Sequence, residues 1–492
     1  MAAPAVGMRN GRLELFYASD TPPRLADSQE RARVQVLGGG LRHSLLPLGE
    51  ALLRDAGVGR GGAFVLVLDN DRAGAACLLA AMTLECVCVL LSKSRAALVP
   101  RVRRETGLTT VLVVDDVAGT VRKLEGEARQ RDAPAWLREP EVAAAGGCVG
   151  MLTSGSIGEP KVVVCTWAKM CLQGRVTHEQ LFPAAPARVV CATSITHAYA
   201  INALFALFTS PFDAASELCF APTIGGLHAL LAEPKDKFTL LYGTPATYTA
   251  LLDLPAALLN VDVPYCAGTR MQVELFTNVA AHCGLHVMQN YGSTETGDIA
   301  AWHLHGKRFR DEAHEMARED RQRIYVGSLW PGVRAAVAPE TGEVLVSTPW
   351  QALGYVRDCA LDAFHGAPHR TADIGRVARD ARGTECLWLQ ERLRPSVEVV
   401  CNGVATPHPP RLIEAAAASH PDVTDALVLA QPRSAAAPVR LRAVPRDASS
   451  VRAEDIVEWC ARQLPALREY LALEIELVDY LPCSAAGKLM YT

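Results

Sequence analysis

Apolar stretches of five or six residues alternate with longer helix-like stretches along most of the chain. Uninterrupted apolar runs are typical of strands buried on both faces of a parallel sheet. The helix-like stretches between them, such as 75–84, indicate strand–helix–strand units. The predicted strands are 63–68, 86–91, 110–114, 188–191, 238–242, 261–265 and 286–288. The pattern therefore predicts an α/β fold in which sheets and helices are layered.

The pattern changes after Gly332, where short strand-like segments and turns predict a small β subdomain. A boundary is predicted next to Arg392, so that a large N-terminal domain spans 1–391 and a small α+β domain spans 392–492. Within the second domain we predict helices at 411–420 and 453–463 and strands at 426–430 and 475–478.

Composition restricts the possible functions. The chain has 492 residues, of which 50% are hydrophobic and 21% charged, and its net charge of −4 gives no reason to expect a nucleic-acid partner. None of its 15 cysteines forms a C-x-x-C pair, which is typical of buried thiols in a reducing compartment. The apolar stretch 73–91 contains Glu85, so we predict a buried helix and strand there and no transmembrane segment. The N-terminus lacks the pattern of a signal peptide, and we expect a cytoplasmic protein.

The segment 151–161, Met-Leu-Thr-Ser-Gly-Ser-Ile-Gly-Glu-Pro-Lys, has the chemistry of a phosphate-binding loop. Its glycines allow backbone N–H groups to turn inward, and its hydroxyl groups and lysine add hydrogen-bond donors. The spacing fits neither a Walker loop nor the G-x-G-x-x-G dinucleotide motif. The loop therefore predicts a polyphosphate site of another kind.

Four further motifs follow in order: Tyr-Gly-Ser-Thr-Glu at 291–295, Gly-Glu-Val-Leu-Val at 342–346 with Gly-Tyr at 354–355, Thr-Ala-Asp at 371–373, and Leu-Pro-Cys-Ser-Ala-Ala-Gly-Lys at 481–488. Together with the loop they resemble the adenylate-forming (AMP-binding) superfamily. That superfamily contains acyl- and aryl-CoA synthetases, peptide-synthetase adenylation domains and luciferases. Ile157 replaces its usual threonine, and Val162 replaces a common glycine.

The resemblance implies that the protein is an acid–thiol ligase. A carboxylic acid would be activated by ATP as an acyl-adenylate with release of pyrophosphate, and the acyl group would then pass to a thiol. ATP and Mg²⁺ are implied as cofactors, with CoA or the phosphopantetheine of a carrier protein as acceptor. The resemblance also implies that the C-terminal domain is mobile.

The resemblance assigns a role to each motif. The residues expected to wrap the β- and γ-phosphates are Thr153, Ser154, Gly155, Ser156, Gly158 and Lys161. Those expected around the α-phosphate, Mg²⁺, the adenine and the ribose are Thr294, Glu295, Tyr291, Gly292, Asp373 and Arg392, with Glu295 as the metal ligand. Lys488 is expected to act as the catalytic lysine that bridges the acid and the α-phosphate.

At the domain joint the chain departs from the family pattern. Arg392 is our preferred ribose-contacting residue, and Arg394 is the alternative if the motif is counted backward from Gly403. In either frame the hinge aspartate and the following lysine of the family are missing. Thioester formation is therefore less firmly implied than adenylation.

The acid is expected to contact His197, Tyr199, Gly268 and Thr269, although His197 and Tyr199 could instead be ordinary core residues. Ala198 occupies the position where peptide-synthetase domains carry an aspartate for the α-amine, so a free amino acid is not expected. An aryl or a short to medium acyl acid fits the apolar surroundings.

Two alternatives to the acid–thiol ligase stay open. One is a stand-alone adenylating enzyme that uses an amine acceptor or oxidises the adenylate. The other is a non-catalytic relative that binds nucleotide or acyl-adenylate as a sensor.

Overall fold

The structure is a computed structural model. It describes residues 5–9, 12–16, 35–38, 40–115, 118–124, 134–153, 160–221, 223–232, 237–252, 260–269, 271, 273–307, 312, 324–394, 396–401, 404–429, 438–447 and 451–482.

Strands and helices alternate along most of the chain. The strands are β1 (Ala5–Arg9), β2 (Arg12–Phe16), β3 (Gln35–Gly38), β4 (Ala63–Leu68), β5 (Val87–Ser92), β6 (Val111–Asp115), β7 (Thr120–Leu124), β8 (Cys148–Leu152), β9 (Val162–Thr166), β10 (Ala187–Cys191), β11 (Glu217–Phe220), β12 (Phe238–Gly243), β13 (Val263–Cys266), β14 (Met288–Ser293), β15 (Gly297–Ala301), β16 (Ile324–Leu329), β17 (Arg334–Val337), β18 (Glu343–Ser347), β19 (Gly354–Arg357), β20 (Ala360–Ala363), β21 (His369–Arg379), β22 (Glu385–Arg392), β23 (Val397–Cys401), β24 (Val404–His408), β25 (Val423–Val428), β26 (Val439–Pro445), β27 (Leu473–Leu477) and β28 (Leu481–Pro482). The helices are α1 (Leu46–Asp55), α2 (Arg72–Thr83), α3 (Val99–Thr106), α4 (Pro140–Ala143), α5 (Trp167–Leu181), α6 (Ala198–Phe208), α7 (Ile224–Leu231), α8 (Pro245–Leu251), α9 (Val273–Cys283), α10 (Pro410–Ala418) and α11 (Ala453–Gln463).

An eight-stranded sheet holds the first part of the chain, in the order β20-β19-β9-β8-β5-β4-β6-β7. Its centre is parallel because β4 pairs in parallel with β5 and β6, and β5 with β8. The continuous apolar strands are buried on both faces, as their sequence predicts. The antiparallel strands β9 and β19 extend this sheet and bring the end of the phosphate loop beside Tyr355.

A second sheet has twelve strands in the order β17-β18-β21-β22-β16-β15-β14-β13-β12-β10-β11-β3. Strands β10 to β14 pair in parallel, and the strands from β15 to β22 pair antiparallel. The segment predicted as a β subdomain therefore contributes β17, β18, β21 and β22 to this sheet, while its strands β19 and β20 join the eight-stranded sheet.

Apolar helices pack against these sheets. Helix α2 is buried along nearly its whole length, and Asp71 caps its start by accepting a hydrogen bond from the N–H of Gly74 at 2.6 Å. The stretch 73–91 forms α2 and β5, and no helix in the described ranges is long and apolar enough to cross a membrane. Helix α5 packs against α6, which carries the predicted pocket residue Tyr199.

The elements after residue 396 form separate sheets. A hairpin of β23 and β24 is followed by the sheet β25-β26-β27, with α10 and α11 packed near it. These elements share a core of their own, in which Ile413, Leu441 and Ile456 are almost completely buried. Helix α11 lies at the predicted residues, whereas β25 begins three residues before the predicted strand.

The hairpin of β1 and β2 lies next to the end of the described chain. Strand β1 pairs antiparallel with β28, with Gly7 opposite Pro482 and Met8 opposite Leu481. Strand β2 lies against α8, which belongs to the first part of the chain. The hairpin thus contacts both the strand that precedes the predicted catalytic lysine and a helix of the large sheet region.

Candidate active site

The phosphate loop joins two antiparallel strands of the eight-stranded sheet. At its base the N–H of Thr153 donates to the carbonyl of Lys161 at 2.9 Å, and the N–H of Lys161 donates to the Thr153 hydroxyl at 3.0 Å. These two bonds hold the two ends of the loop together. The residues between them, including the predicted phosphate-contacting Ser154, Gly155, Ser156 and Gly158, lie outside the described residues.

The second motif forms the turn between β14 and β15. The Ser293 and Thr296 hydroxyls lie 2.9 Å apart, and the N–H of Thr296 donates to Ser293 at 3.2 Å, so the turn that carries Thr294 and Glu295 is held at both ends. Gly292 is required because a Cβ there would lie 2.4 Å from the carbonyl oxygen of Gly297 across the hairpin. The turn therefore projects two of the predicted site residues from the end of a parallel strand, where ligands bind in such sheets.

Glu295 and Lys161 approach the same aromatic ring. The Tyr355 hydroxyl donates to Glu295 Oε1 at 2.9 Å, and Lys161 Nζ lies 4.6 Å from the centre of the Tyr355 ring. Burial raises the pKa of the Tyr355 phenol, and the neighbouring Glu295 carboxylate raises it further. The phosphate loop and the predicted metal ligand therefore converge at one point.

Tyr291, Asp373 and Arg392 form a second group. The Tyr291 hydroxyl donates to Asp373 Oδ2 at 2.6 Å, and Arg392 Nη1 lies 3.4 Å from Asp373 Oδ1. Burial, and after it the Asp373 carboxylate, raises the pKa of Tyr291 well above its usual value. Asp373 and Arg392 are direct partners in the register of β21 and β22, which explains their contact. Arg394 instead pairs with Glu414 of α10, with N–O distances of 2.7 and 2.5 Å.

The predicted acid-binding residues lie at the neighbouring strand ends. The Tyr199 hydroxyl donates to the carbonyl of Tyr265 at 2.8 Å, shortly before Gly268, whose φ of +102° requires glycine. The carbonyl of Thr269 accepts a hydrogen bond from Gln289 at 3.4 Å. His197 precedes the first residue of α6 without capping that helix through its side chain. Tyr199 and Thr269 are thus hydrogen-bonded to residues of β13 and β14, and Gly268 follows β13 in the chain.

Tyrosine rings surround Tyr199, and sequence analysis did not single them out. The ring centres of Tyr199, Tyr242 and Tyr265 lie 5.0–5.4 Å apart. The Tyr248 hydroxyl shares the Tyr265 carbonyl as acceptor, at 3.0 Å. Tyr242 and Tyr265 lie near the ends of β12 and β13, and Tyr248 lies in α8, positions that carry no motif.

Asp298 is a buried carboxylate behind the Glu295 turn, and it was also missed. It accepts hydrogen bonds from Asn290 at 2.6 Å and from Asn202 of α6 at 2.9 Å, with a further bond from Gln173. Burial raises its pKa, although the Gln173 and Asn290 amides partly oppose the shift. The available signal in the sequence for this network was Asn202, a polar residue in an otherwise apolar helix.

His369 lies close enough to Glu295 for that carboxylate to influence its pKa. It lines a shallow cavity of about 240 Å³ together with Phe364, Ala367, Pro368 and Arg370. Burial lowers its pKa, while the carboxylates of Glu295 and Glu343 act in the opposite direction. Its position just before Thr371 gave no chemical signal by itself.

The predicted catalytic residue Lys488 lies outside the described residues, which end at Pro482 in β28. Within the described ranges no three His, Cys, Asp or Glu side chains come together as a metal site. A single carboxylate such as Glu295 nevertheless fits Mg²⁺, which proteins commonly hold through one or two carboxylates together with substrate phosphates.

Comparison with known proteins identifies the family of the chain. A family model described as AMP-binding enzyme matches residues 47–356. A curated relative, the 3-[(3aS,4S,7aS)-7a-methyl-1,5-dioxo-octahydro-1H-inden-4-yl]propanoyl:CoA ligase of Mycobacterium tuberculosis, is 27% identical over 365 residues, which cover 69% of this chain and 64% of the relative. The match therefore spans slightly less than two thirds of that relative's own length.

Two solved structures share the fold. O-succinylbenzoate coenzyme A synthetase from Bacillus subtilis, in complex with AMP, aligns with a TM-score of 0.61 at 19% identity and covers 92% of this chain and 91% of that one. Amide bond synthetase McbA from Marinactinospora thermotolerans aligns with a TM-score of 0.59 at 20% identity, covering 91% and 92%. The resemblance read from the motifs is confirmed, and the chain belongs to the AMP-binding enzyme family of adenylate-forming proteins.

Proposed function

We propose that the protein activates a carboxylic acid with ATP, forming an acyl-adenylate and releasing pyrophosphate, and then transfers the acyl group to the thiol of CoA. The observation that carries this proposal is the convergence of Lys161 and Glu295 on Tyr355, together with the hydrogen bond to Asp373 from Tyr291, on the strand that leads to Glu295. A cation and a carboxylate thus contact one tyrosine, and these are the charges that a triphosphate and Mg²⁺ would need, while Asp373 would serve as the ribose acceptor.

These groups suit attack of a carboxylate oxygen on the α-phosphorus of ATP. As the new P–O bond forms, the bond to the bridging oxygen breaks and its electrons leave with pyrophosphate. Negative charge crowds at the phosphates, so the protein contributes mainly by positioning and by positive charge. Lys161 and the loop from Thr153 would hold the β- and γ-phosphates, while Thr294 would donate to the α-phosphate.

On the nucleoside side, Asp373 would accept hydrogen bonds from the ribose hydroxyls, with Arg392 beside it, and Tyr291 and Gly292 would border the adenine. When bound through Glu295, Mg²⁺ would supply positive charge to the phosphate oxygens. Lys488, carried by a mobile C-terminal domain at 392–492, would contact the acid and the α-phosphate.

The first test is exchange of labelled pyrophosphate into ATP, which should depend on an added acid. Lys488→Ala should reduce the exchange by at least about a hundredfold, as expected for loss of a charged group that acts in the transition state. ATP binding, measured by calorimetry, should stay within a few-fold. Lys123→Ala, on the exposed strand β7, is the matched control. Absence of acid-dependent exchange by the wild-type protein with any acid would refute the proposal.

The acid is proposed to be an aryl or a short to medium acyl acid. The partly exposed ring of Tyr199, which packs on the buried rings of Tyr242 and Tyr265, offers apolar surface, and Ala198 supplies no carboxylate for an α-amine. The curated relative acts on a bicyclic propanoic acid, as its name states, which is also a largely apolar acid. A panel of aryl, acyl and amino acids in the exchange assay tests this, and a preference for amino acids would contradict it.

The sequence at the domain joint favours an amine as a second candidate for the acyl acceptor. The family's hinge aspartate is missing, and Arg394 is held by two bonds to Glu414 of α10. The structurally similar McbA is an amide bond synthetase. An amine acceptor is therefore the alternative to CoA or a carrier-protein thiol. Incubation of the acyl-adenylate with CoA, carrier protein and simple amines distinguishes thioester from amide products.

A further inference from the structure

Tyr355 connects two charged residues that come from distant parts of the chain. It lies on β19, which pairs with β9 directly after the phosphate loop, so that Tyr355 is opposite Val163. Its ring packs edge-on against Phe364, with ring centres 5.1 Å apart and an angle of 87° between the planes. Strand pairing and ring packing therefore fix where the hydroxyl group points.

Glu295 is held independently of this contact. The N–H of Ala352 donates to the Glu295 carbonyl at 2.8 Å, and the Thr348 hydroxyl donates to the carbonyl of Thr296 at 2.6 Å. The segment that leads into β19 therefore fixes the backbone of the Glu295 turn, while the Tyr355 hydroxyl fixes the carboxylate itself at 2.9 Å. One oxygen of Glu295 is occupied by this bond, and the other stays available for a metal ion.

Lys161 approaches the face of the same ring rather than the carboxylate. Its Nζ lies 4.6 Å from the ring centre, within the range of a cation–π interaction. Although they have opposite charges and contact the same side chain, Lys161 and Glu295 do not form an ion pair in the part of the chain that the structure describes. Lys161 is thus held over the face of the ring, whereas Glu295 is held at its hydroxyl end.

We propose that Tyr355 is a positioning residue that orients the Glu295 carboxylate through its hydroxyl and separates it from Lys161 through its ring. A direct Lys161–Glu295 pair would neutralise the two groups that the phosphates and the metal need. The ring prevents this loss, and the hydroxyl presents one carboxylate oxygen in a fixed direction. The inference rests on the proposed roles of Lys161 and Glu295.

Two substitutions separate the two parts of this role. Tyr355→Phe keeps the ring but removes the hydroxyl, so the Mg²⁺ concentration that gives half-maximal exchange should rise about tenfold, the effect expected for one lost charge-assisted hydrogen bond. The KM for ATP at saturating Mg²⁺ should stay within about twofold, because the spacer and the cation–π contact remain. Tyr355→Leu removes both, so the Mg²⁺ requirement and the KM for ATP should both rise.

A second readout does not depend on turnover. Calorimetric titration of ATP at several MgCl₂ concentrations should show weaker Mg²⁺-dependent ATP binding in Tyr355→Phe than in the wild-type protein. In the Tyr355→Leu background, Lys161→Met should cost clearly less ATP affinity than it does in the wild type, because the lysine is already paired with Glu295. A merely structural role for Tyr355 would give additive effects.

Tyr325→Phe is the matched control, since it removes another buried tyrosine hydroxyl, one that bonds to Glu312 and Cys386 outside the site. It should leave the Mg²⁺ dependence unchanged. If Tyr355→Phe has wild-type Mg²⁺ dependence while the wild-type protein exchanges pyrophosphate normally, the positioning role is wrong and the proposed function stands. If the wild-type protein shows no exchange, the proposed function itself fails.

Discussion

The contact between Tyr291 and Asp373 makes the proposed ribose site testable in detail. Asp373 is a mostly buried carboxylate, with 13% of its side chain exposed, and it already has Tyr291 on one oxygen and Arg392 near the other. A carboxylate oxygen can accept more than one hydrogen bond, and in the proposed function the Asp373 carboxylate accepts the ribose hydroxyls. Asp373→Asn keeps the shape but replaces one acceptor with a donor and removes the charge.

The expected effect follows from the bonds lost. A hydrogen bond to a charged acceptor contributes about 1.5–3 kcal/mol, which corresponds to a factor of roughly 10 to 150 in binding. In the Asn variant the amide oxygen is expected to keep the Tyr291 bond, and the amide nitrogen then lies beside Arg392, where it cannot accept a hydrogen bond. We therefore expect kcat/KM for ATP in the exchange assay to fall about a hundredfold.

Deoxynucleotides show whether the loss arises at the ribose. The wild-type protein should use 2′-deoxyATP and 3′-deoxyATP less well than ATP, and Asp373→Asn should discriminate against them at least about tenfold less. Asp115→Asn, at the end of β6 and outside the site, is the control. If Asp373→Asn lowers activity but retains the full preference for ATP over both deoxynucleotides, the carboxylate does not bind the ribose and the assignment is refuted.

Two further predictions concern stability. Lys307 pairs with Asp380 at almost complete burial, so Lys307→Met should destabilise the large domain by about 3–5 kcal/mol in urea unfolding, and replacing both partners with apolar residues should cost less. Burial alone would raise the pKa of Asp380, but Lys307 outweighs burial and lowers it. The contribution of the pair to the free energy of unfolding should therefore be present at neutral pH and be lost below about pH 4. Thermal melts of the wild type and the double variant at several pH values measure this. Ala372 has a φ of +57° at the position where the family has glycine, and Ala372→Gly should stabilise the protein by up to about 1 kcal/mol; a destabilised variant would show that the backbone there is not strained.

Most strands of the parallel sheets could be predicted closely because their apolar residues are consecutive, although β8 and β11 were not among the predicted strands. The strand predicted at 63–68 is β4 with the same bounds, and helix α11 also begins and ends as predicted. The strand predicted at 286–288 begins later and extends to Ser293, because the residues of the Tyr-Gly-Ser motif pair across the hairpin with β15. Polar residues at a strand end carry no hydrophobic signal, so the pattern could not show this extension.

The site could be predicted as a set of residues but only partly as an arrangement. Asp373 and Arg392 were both chosen from motifs, yet their contact follows from the register of β21 and β22, which motifs do not specify. Tyr355 was noticed only as the end of a Gly-Tyr pair, because its role depends on β19 lying beside β9. Lys307 and Asp380 carry opposite charges in unrelated segments, and nothing in the sequence indicates that they meet.

The Asp298 network gives a physical reason for the position of α6, the helix that carries the proposed acid-binding residue Tyr199. An ionised carboxylate in this buried place is unfavourable by itself, as its raised pKa shows, and the amides of Asn202, Asn290 and Gln173 offset that cost. Asn202 belongs to α6 and Asn290 to β14, so the same carboxylate fixes the helix that begins at Ala198 relative to the strand that leads to Glu295. Apolar packing alone would tolerate small displacements of α6 along the sheet. The directional bonds to Asp298 do not tolerate such displacements. They therefore fix the distance between the proposed acid pocket and the proposed metal ligand.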